Sequence, residues 1–270
     1  MAVRELRGGQ LEFLSPDGVE KLQHAVLEVL DEVGVRMEHR PALEVMEANG
    51  CRVDFDRSVV RTPEHVLRRC LAAAPSRFTL FARDPAWDVR VDQRSVYTIG
   101  GSSALNVVGL DGVRRLATLK DLADLTRLQD ALPNLHVMHG IVNPQDIPQQ
   151  GFDRILFSTV CANTRRNYYS QALGAQGVRD QVEMGALLAG SGDALRARPF
   201  FTMVLCLVSP LVHPRIRTEE LMECAAQGVP PTQKAPAKPG QNALLNPCVV
   251  LREGSTIPRA PNIRFALSSR

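Results

Sequence analysis

The fold class is decided by one stretch of sequence, Leu135-His-Val-Met-His-Gly-Ile-Val142. This nearly continuous apolar run is typical of a strand that is buried on both faces of a parallel sheet. Before it, leucines recur at three- and four-residue steps from Leu119 to Leu132, which predicts a helix. A buried strand that follows a helix indicates an α/β protein.

The alternation of helix and strand continues towards the carboxyl terminus. Helices are predicted over residues 152–162, 178–189 and 219–227, and strands over 167–172 and 200–208. Thr118 with Asp121 resembles a capping box at the start of the first helix, and Thr218 is a suitable cap for the last. Short links between these elements imply parallel strands joined by right-handed crossovers, so a TIM barrel and a doubly wound sheet both fit.

Upstream of this α/β pattern we predict a helical region and a small antiparallel β element. Helix starts are marked by Ser15-Pro16, Pro41 and Thr62-Pro63. Short strands are predicted over 77–82, 88–92 and 95–99, and Asp111-Gly112 is a turn signal. The predicted domains are therefore residues 1–117 (helices and small β element), 118–229 (partial barrel) and 230–270 (tail).

The predicted tail differs from the rest of the chain in composition and charge. Residues 230–270 hold 7 of the 18 prolines. They also contain six Lys/Arg and one Glu, so the tail carries a charge of +5 and the rest of the chain, whose total is +3, is slightly acidic. Such a segment cannot supply central strands, so we predict that it is disordered. With one aromatic residue, Phe265, it also lacks the stacking pattern of a nucleic-acid site.

Membrane insertion and secretion are not indicated by the sequence. No apolar run approaches the roughly 18–20 residues that a membrane helix needs, and residues 1–10 contain no signal-like apolar stretch. The six cysteines include no CxxC pair, and most lie among apolar neighbours, as Cys206 does. We expect buried free thiols in a reducing compartment, and hence a cytoplasmic protein without a nucleic-acid or membrane partner.

Few residues carry a recognisable chemistry. Gly100-Gly101 invites comparison with a phosphate loop but lacks its lysine, so a strand bend is the competing interpretation. His136 and His139 are three apart in a strand and point to opposite faces, which argues against a shared metal. No nucleophile is indicated, so the catalytic residues stay unassigned and no metal site is predicted.

Better-placed polar residues follow the predicted barrel strands, where ligands bind in α/β proteins. Asn143-Pro-Gln-Asp146 follows the first strand, and a simple turn explains it equally well. His213 follows the third. The candidate substrate-binding residues are Gly100, Gly101, Asn106, Asn143, Gln145, Asp146 and His213.

Several stretches together resemble the trimethylamine methyltransferase family, which includes glycine betaine methyltransferases. They are Leu14-Ser-Pro-Asp-Gly-Val-Glu20, Leu27-Glu-Val-Leu-Asp-Glu-Val-Gly-Val35, Ala74-Pro-Ser-Arg-Phe-Thr-Leu-Phe-Ala-Arg-Asp-Pro85, Gly100-Gly-Ser-Ser-Ala-Leu-Asn-Val107, Ala117-Thr-Leu-Lys-Asp-Leu-Ala-Asp-Leu125, Ala131-Leu-Pro-Asn-Leu135 and Asn143-Pro-Gln-Asp146. Each is weak alone, but their order and spacing match the family, over roughly residues 12–229.

The resemblance implies a TIM barrel that takes a methyl group from a methylated amine, trimethylamine or a quaternary amine such as glycine betaine. The acceptor would be a corrinoid (cobalamin) carried by a separate protein, so no cofactor is bound directly. An apolar, often aromatic cage suits such a cation, and the cobalt rather than a side chain would be the nucleophile.

Family members are longer than this chain, and their second half completes the barrel and, in trimethylamine-specific members, carries pyrrolysine. We therefore expect a truncated member with three barrel strands and open sheet edges, which favour homo-oligomers. The tail resembles the product of a shifted reading frame or an altered gene end. The alternative to a methyltransferase is a non-catalytic remnant or binding module of the family.

Overall fold

The structure is a computed structural model that describes residues 6–7, 14–75, 77–92, 95–101 and 103–233. These residues form a mixed α/β fold with several small sheets, which confirms the predicted α/β class. Among them, no helix combines the length and the apolar character required to cross a membrane. The predicted disorder of the tail concerns residues 234–270, which lie outside the described part of the chain.

Most helices begin and end near their sequence signals, but α6 and α8 begin four residues earlier than predicted and α7 was not predicted. They are α1 (Pro16–Glu28), α2 (Arg40–Ala48), α3 (Glu64–Ala73), α4 (Leu119–Ala131), α5 (Phe152–Asn163), α6 (Gly174–Ala189), α7 (Gly192–Ala197) and α8 (Arg215–Gln227). Ser15 caps α1 by accepting the Gly18 N–H at 3.1 Å, and the capping box predicted for α4 is present. A π-helical turn, Val29–Val33, extends α1 up to Gly34, whose φ of 80° ends the helix.

The strands are short. They are β1 (Leu6–Arg7), β2 (Val35–Met37), β3 (Arg52–Asp54), β4 (Val59–Arg61), β5 (Phe78–Leu80), β6 (Val89–Val91), β7 (Ser95–Val96), β8 (Asn106–Val108), β9 (Arg114–Leu116), β10 (Val137–His139), β11 (Asn167–Ser170), β12 (Phe201–Leu205), β13 (Val212–His213) and β14 (Pro231–Gln233). The antiparallel pairs β5–β6 and β8–β9 confirm the predicted small antiparallel element.

The described residues fall into two compact units. The parallel-sheet unit contains residues 6–7, 77–204 and 223–231, and the mixed-sheet unit contains 14–75, 205–222 and 232–233. Neither the domain limits at residues 117 and 229 nor the tail as a separate segment is tested by this division, and they stay predictions.

The parallel-sheet unit is built on a sheet of order β10-β11-β12-β14. β10, β11 and β12 run parallel to one another, as the sequence predicted. Both edges of this three-strand core are paired, because β14 follows β12 and parallel bridges join Ile99 and Ala104 to the β10 segment. The sheet is therefore wider than the three strands expected, and its outer members among the described residues are β14 and the segment of Ile99 and Ala104. The expectation of open edges stays a prediction. Within the described residues these strands do not close into a barrel.

The mixed-sheet unit corrects the prediction of a purely helical N-terminal region. Its sheet has the order β13-β2-β4-β3, with β2 parallel to β13 and antiparallel to β4. Apolar side chains of α2, α3 and the sheet form one core, which includes Met37, Leu43, Val60 and Val66. The strands of this sheet were not predicted, although residues 51–56 alternate between apolar and polar side chains.

Three local predictions also change. α8 begins at Arg215, just after Pro214, so Thr218 lies inside the helix, where its Oγ1 donates to the Pro214 carbonyl at 3.1 Å. Residues 231–233, which belong to the predicted disordered tail, form a strand. Cys206 and Cys70 are exposed, whereas Cys51, Cys161 and Cys224 are buried free thiols.

Candidate functional site

Three polar side chains line up across the parallel sheet. His139 of β10 is in register with Tyr169 of β11, which is in register with Thr202 of β12. Partner residues on neighbouring strands point to the same face and lie about 4.8 Å apart. The His139 and Tyr169 ring centroids are accordingly 6.3 Å apart. We call these three residues the polar row.

The polar row points away from helix α5. Tyr168 and Phe201, which precede Tyr169 and Thr202 in their strands, pack on Phe157 of α5 with ring centroids 5.9 and 5.0 Å away. Successive side chains of a strand point to opposite faces. The residues of the polar row therefore lie on the face opposite α5, where they leave the helix packing undisturbed.

This face is polar although it is buried. His139 is 5% exposed and Thr202 is 0% exposed. Among the described residues, neither the Thr202 Oγ1 nor the Asn167 Oδ1, on the same face of β11, has a hydrogen-bond partner. A buried polar atom left unsatisfied costs about 1–3 kcal/mol. Two such atoms on one face point to a bound water or ligand there.

The amino-terminal end of the same face is closed by the β5–β6 hairpin. Leu80 and Val89 of the hairpin form a core cluster with Val137, the first residue of β10, and Tyr169 packs against it. The Asn167 Nδ2 donates to the Phe81 carbonyl at 2.8 Å. The hairpin thus covers the amino-terminal end of the sheet face that carries the polar row.

A narrow cleft lies at the opposite, carboxyl-terminal end of β10 and β11. The cleft has a volume of about 10 Å³, which is room for about one water molecule. Its lining consists of Ser103, His139, Gly140, Asn143, Leu156, Tyr168 and Gln171. Ligand sites of parallel α/β sheets gather at the carboxyl ends of the strands. His139 belongs both to the cleft and to the polar row, so the two form one candidate site.

Ionisation around the cleft is governed by burial. Tyr168 also lines the cleft, and its burial raises the pKa of the phenol well above the ordinary value of 10, against a smaller opposite effect of the Ser170 hydrogen bond. Burial likewise raises the pKa of the Cys161 thiol to about 12. Both groups are neutral near pH 7 and neither is an activated nucleophile. The cleft offers hydrogen bonds and aromatic rings instead.

Of the seven residues singled out from the sequence, Asn143 lies in this cleft. Its N–H donates to the Ala104 carbonyl at 2.8 Å, and its carbonyl accepts from the Gln145 Nε2 at 2.9 Å. Gln145 is exposed and turns back on its own loop. Asp146 accepts the Leu119 N–H at 2.8 Å, so it supports the start of α4.

The glycine turn is part of the chain that pairs with β10. The Ser103 N–H donates to the Gly140 carbonyl at 3.0 Å, which occupies one amide that an anion would need. Gly100 lies against the buried Gln129 of α4, where a Cβ would stand 2.1 Å from the Oε1. Gly101 is exposed with open space around it. This geometry favours the interpretation of the glycine turn as a bend in a strand, where Gly100 lets the backbone approach Gln129 of α4 closely.

The two remaining residues are not part of the cleft lining. Asn106 is in β8, paired with Leu116 of β9 in the antiparallel element. His213 is in β13 of the mixed-sheet unit, where it is 1% exposed and pairs with Met37 of β2. The sequence placed His213 at the end of a barrel strand, but the chain enters the other unit after β12.

His136, which directly precedes β10, contacts Thr98 and Tyr97 rather than the cleft lining. The His136 Nδ1 accepts the Thr98 N–H at 3.1 Å, and its ring meets Tyr97 edge-on. Among the described residues, no group of three or more His, Cys, Asp or Glu side chains is placed to hold a metal ion.

Sequence reasoning missed Tyr169, Thr202, Gln171 and Ser103 as site residues. Tyr169 lies in β11 and Gln171 follows the end of that strand, so their spacing of two is the signal that would have grouped them. Their alignment with His139 and Thr202 depends on the register between neighbouring strands, and this register cannot be deduced from a single sequence.

The parallel strands, the polar row and the cleft at the carboxyl ends of the strands are typical of α/β proteins that bind ligands at that edge of the sheet. The chain belongs to the trimethylamine methyltransferase (MTTB) family, whose family model matches residues 2–237. The resemblance noted in the sequence is thereby confirmed.

Curated relatives agree with this assignment. Trimethylamine methyltransferase MttB of Methanosarcina barkeri (strain Fusaro / DSM 804) is 29% identical over 233 residues, which are 83% of this chain and 47% of the relative. Glycine betaine methyltransferase of Desulfitobacterium hafniense (strain Y51) is 32% identical over 160 residues, 58% of this chain and 33% of the relative. Trimethylamine methyltransferase MttB of Desulfitobacterium hafniense (strain DSM 10664 / DCB-2) is 28% identical over 180 residues, 66% of this chain and 36% of the relative. The chain thus spans between a third and a half of these relatives.

Proposed function

We propose that this chain is part of a cytoplasmic methyltransferase that takes a methyl group from trimethylamine or a quaternary amine such as glycine betaine. The acceptor is a corrinoid held by a partner protein. The observation that carries the proposal is the family match over residues 2–237. The parallel β10, β11 and β12, connected through α5, α6 and α7, support the further proposal that this part of the chain belongs to a TIM barrel.

The proposed reaction makes modest demands on side chains. The bond between nitrogen and the methyl carbon would break with its electron pair left on nitrogen, and the Co(I) corrinoid of the partner would supply the electron pair for the new bond to the methyl group. A quaternary substrate would leave as a neutral tertiary amine, and trimethylamine would react in its protonated form and leave as dimethylamine. The protein has to hold the cation and exclude water from it. The described part of the cleft offers rings and hydrogen bonds without an activated nucleophile, which is compatible with this division of labour.

Within the polar row we assign the amine-binding role to Tyr169 and His139. Aromatic faces attract quaternary and protonated amines through their ring quadrupole. The two rings are 6.3 Å apart, and Tyr169 is only half-buried, so part of its ring is accessible. Thr202 supplies a hydroxyl for a water or for the polar end of the substrate.

A non-catalytic remnant or binding module is the alternative function. It is favoured by one observation, that the strands do not close into a barrel within the described residues. Such a protein would keep the family's contacts with a partner or with the amine but would not transfer the methyl group.

The test is methyl transfer to cob(I)alamin by the purified chain, with trimethylamine and glycine betaine as alternative donors and the change in corrinoid absorbance as the readout. Turnover with either amine supports the methyltransferase and overturns the remnant, whereas absence of turnover with both shows that residues 1–270 alone do not suffice for methyl transfer. In an active protein, Tyr169→Leu should raise KM for the amine about tenfold, from the loss of a cation–π contact. Circular dichroism checks that the variant is folded. An unchanged KM in the folded variant would contradict the assignment of Tyr169.

A further inference from the structure

The mixed-sheet unit contains a cavity that takes no part in the function proposed above. It has a volume of about 380 Å³. Three segments surround it: the end of β2, the start of α2 and the turn that joins β3 to β4. The lining residues used below are Arg36, Glu38, His39, Arg40, Arg57 and Ser58.

The lining concentrates positive charge. It holds three arginines but one carboxylate, that of Glu38, which lies 3.0 Å from the Arg36 Nη2. The Arg57 side chain has no ion-pair or hydrogen-bond partner among the described residues, although its backbone N–H donates to Asp54. Like charges gathered around one concavity repel one another and attract an anion.

Arg40 adds to this charge at an unusual place. It is the first residue of α2, and that helix has no acidic residue in its first turn and no side-chain cap. Positive charge at a helix N-terminus is unfavourable because it faces the positive end of the helix dipole. The Arg40 guanidinium is nevertheless kept beside the cavity, 5.2 Å from the ring centroid of Phe55, with its Nε 3.2 Å from Glu44.

The neighbouring His39 has one buried atom without a partner. Its Nδ1 is buried and has no hydrogen-bond partner among the described residues, while its Nε2 lies 3.9 Å from Glu219. Arg57 is exposed to solvent, whereas Arg36 and Arg40 pair with Glu38 and Glu44. A ligand with several oxygen atoms would pair with Arg57 without displacing an ion pair and would give the Nδ1 a hydrogen-bond partner.

We propose that this cavity binds the phosphate group of a small molecule. Guanidinium groups match phosphate oxygens as planar forks, and three of them surround the space from three different segments. The Ser58 hydroxyl is a further hydrogen-bonding group on the lining. The volume exceeds the needs of a bare phosphate ion, so an esterified phosphate also fits. The proposal involves no residue of the polar row and does not depend on methyl transfer.

The test is isothermal titration of the full 270-residue chain with inorganic phosphate, at an ionic strength held constant with sodium chloride. We expect saturable binding with one site. Arg57→Gln should weaken it about tenfold, because a charge-assisted hydrogen bond is lost. Arg36→Gln should weaken it similarly. A second titration with glycerol 3-phosphate distinguishes an esterified from a free phosphate, and saturable binding of either one supports the proposal.

The matched control is Arg68→Gln. Arg68 is an exposed arginine of the same unit that pairs with Glu64 along α3, away from the cavity lining. Its loss removes the same charge and should leave phosphate binding unchanged. The proposal is overturned by the absence of saturable binding of both phosphates, or by equal weakening in the Arg68 and Arg57 variants. Thermal melts of each variant confirm that the fold is retained.

Discussion

Replacing Thr202 with valine should make the protein more stable. The side chain is 0% exposed in β12, and its Oγ1 has no hydrogen-bond partner among the described residues. An unpartnered buried hydroxyl costs about 1–3 kcal/mol, and valine has nearly the same shape without that group. Because valine is also at least as favourable in a strand, we expect Thr202→Val to raise the free energy of unfolding by about 1 kcal/mol.

A second buried threonine provides the control. Thr126 of α4 is 1% exposed, but its Oγ1 donates to the Leu122 carbonyl at 2.7 Å. Thr126→Val removes that bond and should lower the free energy of unfolding by about 1 kcal/mol. The two valine variants therefore differ in sign, although both replace a buried threonine.

Urea unfolding followed by circular dichroism measures both changes, and thermal melts should show shifts of about 2–4 °C in opposite directions. If Thr202→Val destabilises the protein as much as Thr126→Val does, its hydroxyl is satisfied in solution and the argument from an unpartnered atom fails. In an active protein, the Thr202→Val variant should bind the amine less tightly, because the hydroxyl that destabilises the free protein is the group proposed to contact the substrate or a bound water.

Two further predictions concern packing and pH. Gly185→Ala should destabilise the protein by about 1–3 kcal/mol, because the added Cβ would lie 2.7 Å from the Phe201 Cε1. Gly18→Ala, whose Cβ has only ordinary contacts, should be neutral or stabilising in the same urea experiment, and equal losses would refute the packing argument. Asp121 has a pKa far below its ordinary value of 3.8, chiefly through hydrogen bonds from Arg115. A depressed carboxyl pKa contributes stability above the unfolded-state pKa, so Asp121→Asn should cost about 1 kcal/mol at neutral pH, with a deficit that narrows below about pH 4. A deficit that is constant between neutral and acidic pH would show that the carboxylate charge is not responsible.

Helix boundaries were the part of the fold most accessible to sequence reasoning. Caps and prolines act on the backbone within a few residues, so Ser15, Thr118 and Pro41 predicted the starts of α1, α4 and α2 closely. The start of α8 was missed because the signal from Pro214 was passed over in favour of Thr218.

Strands of the mixed-sheet unit were not predictable in the same way. β2, β3 and β4 have three residues each, as β5 and β6 do, but the alternation of residues 51–56 around β3 was passed over. Their stability comes from pairing with one another, which is a non-local interaction between segments distant in sequence.

The candidate site shows the same limit. Asn143 directly follows a strand that the sequence marks clearly, and it lies in the lining of the cleft, while its role in substrate binding stays a prediction. His213 was misplaced because the chain passes into the other unit after β12, and nothing in its local sequence reports that change.

The sequence by itself determined the α/β class, the parallel β10, β11 and β12, and the family, because these depend on local periodicity and on motifs in a fixed order. Only the tertiary structure decided that His139, Tyr169 and Thr202 share one face of the sheet. Strand register and the meeting of segments far apart in the chain are set by packing and hydrogen bonding between strands, and these interactions exist only once the chain has folded.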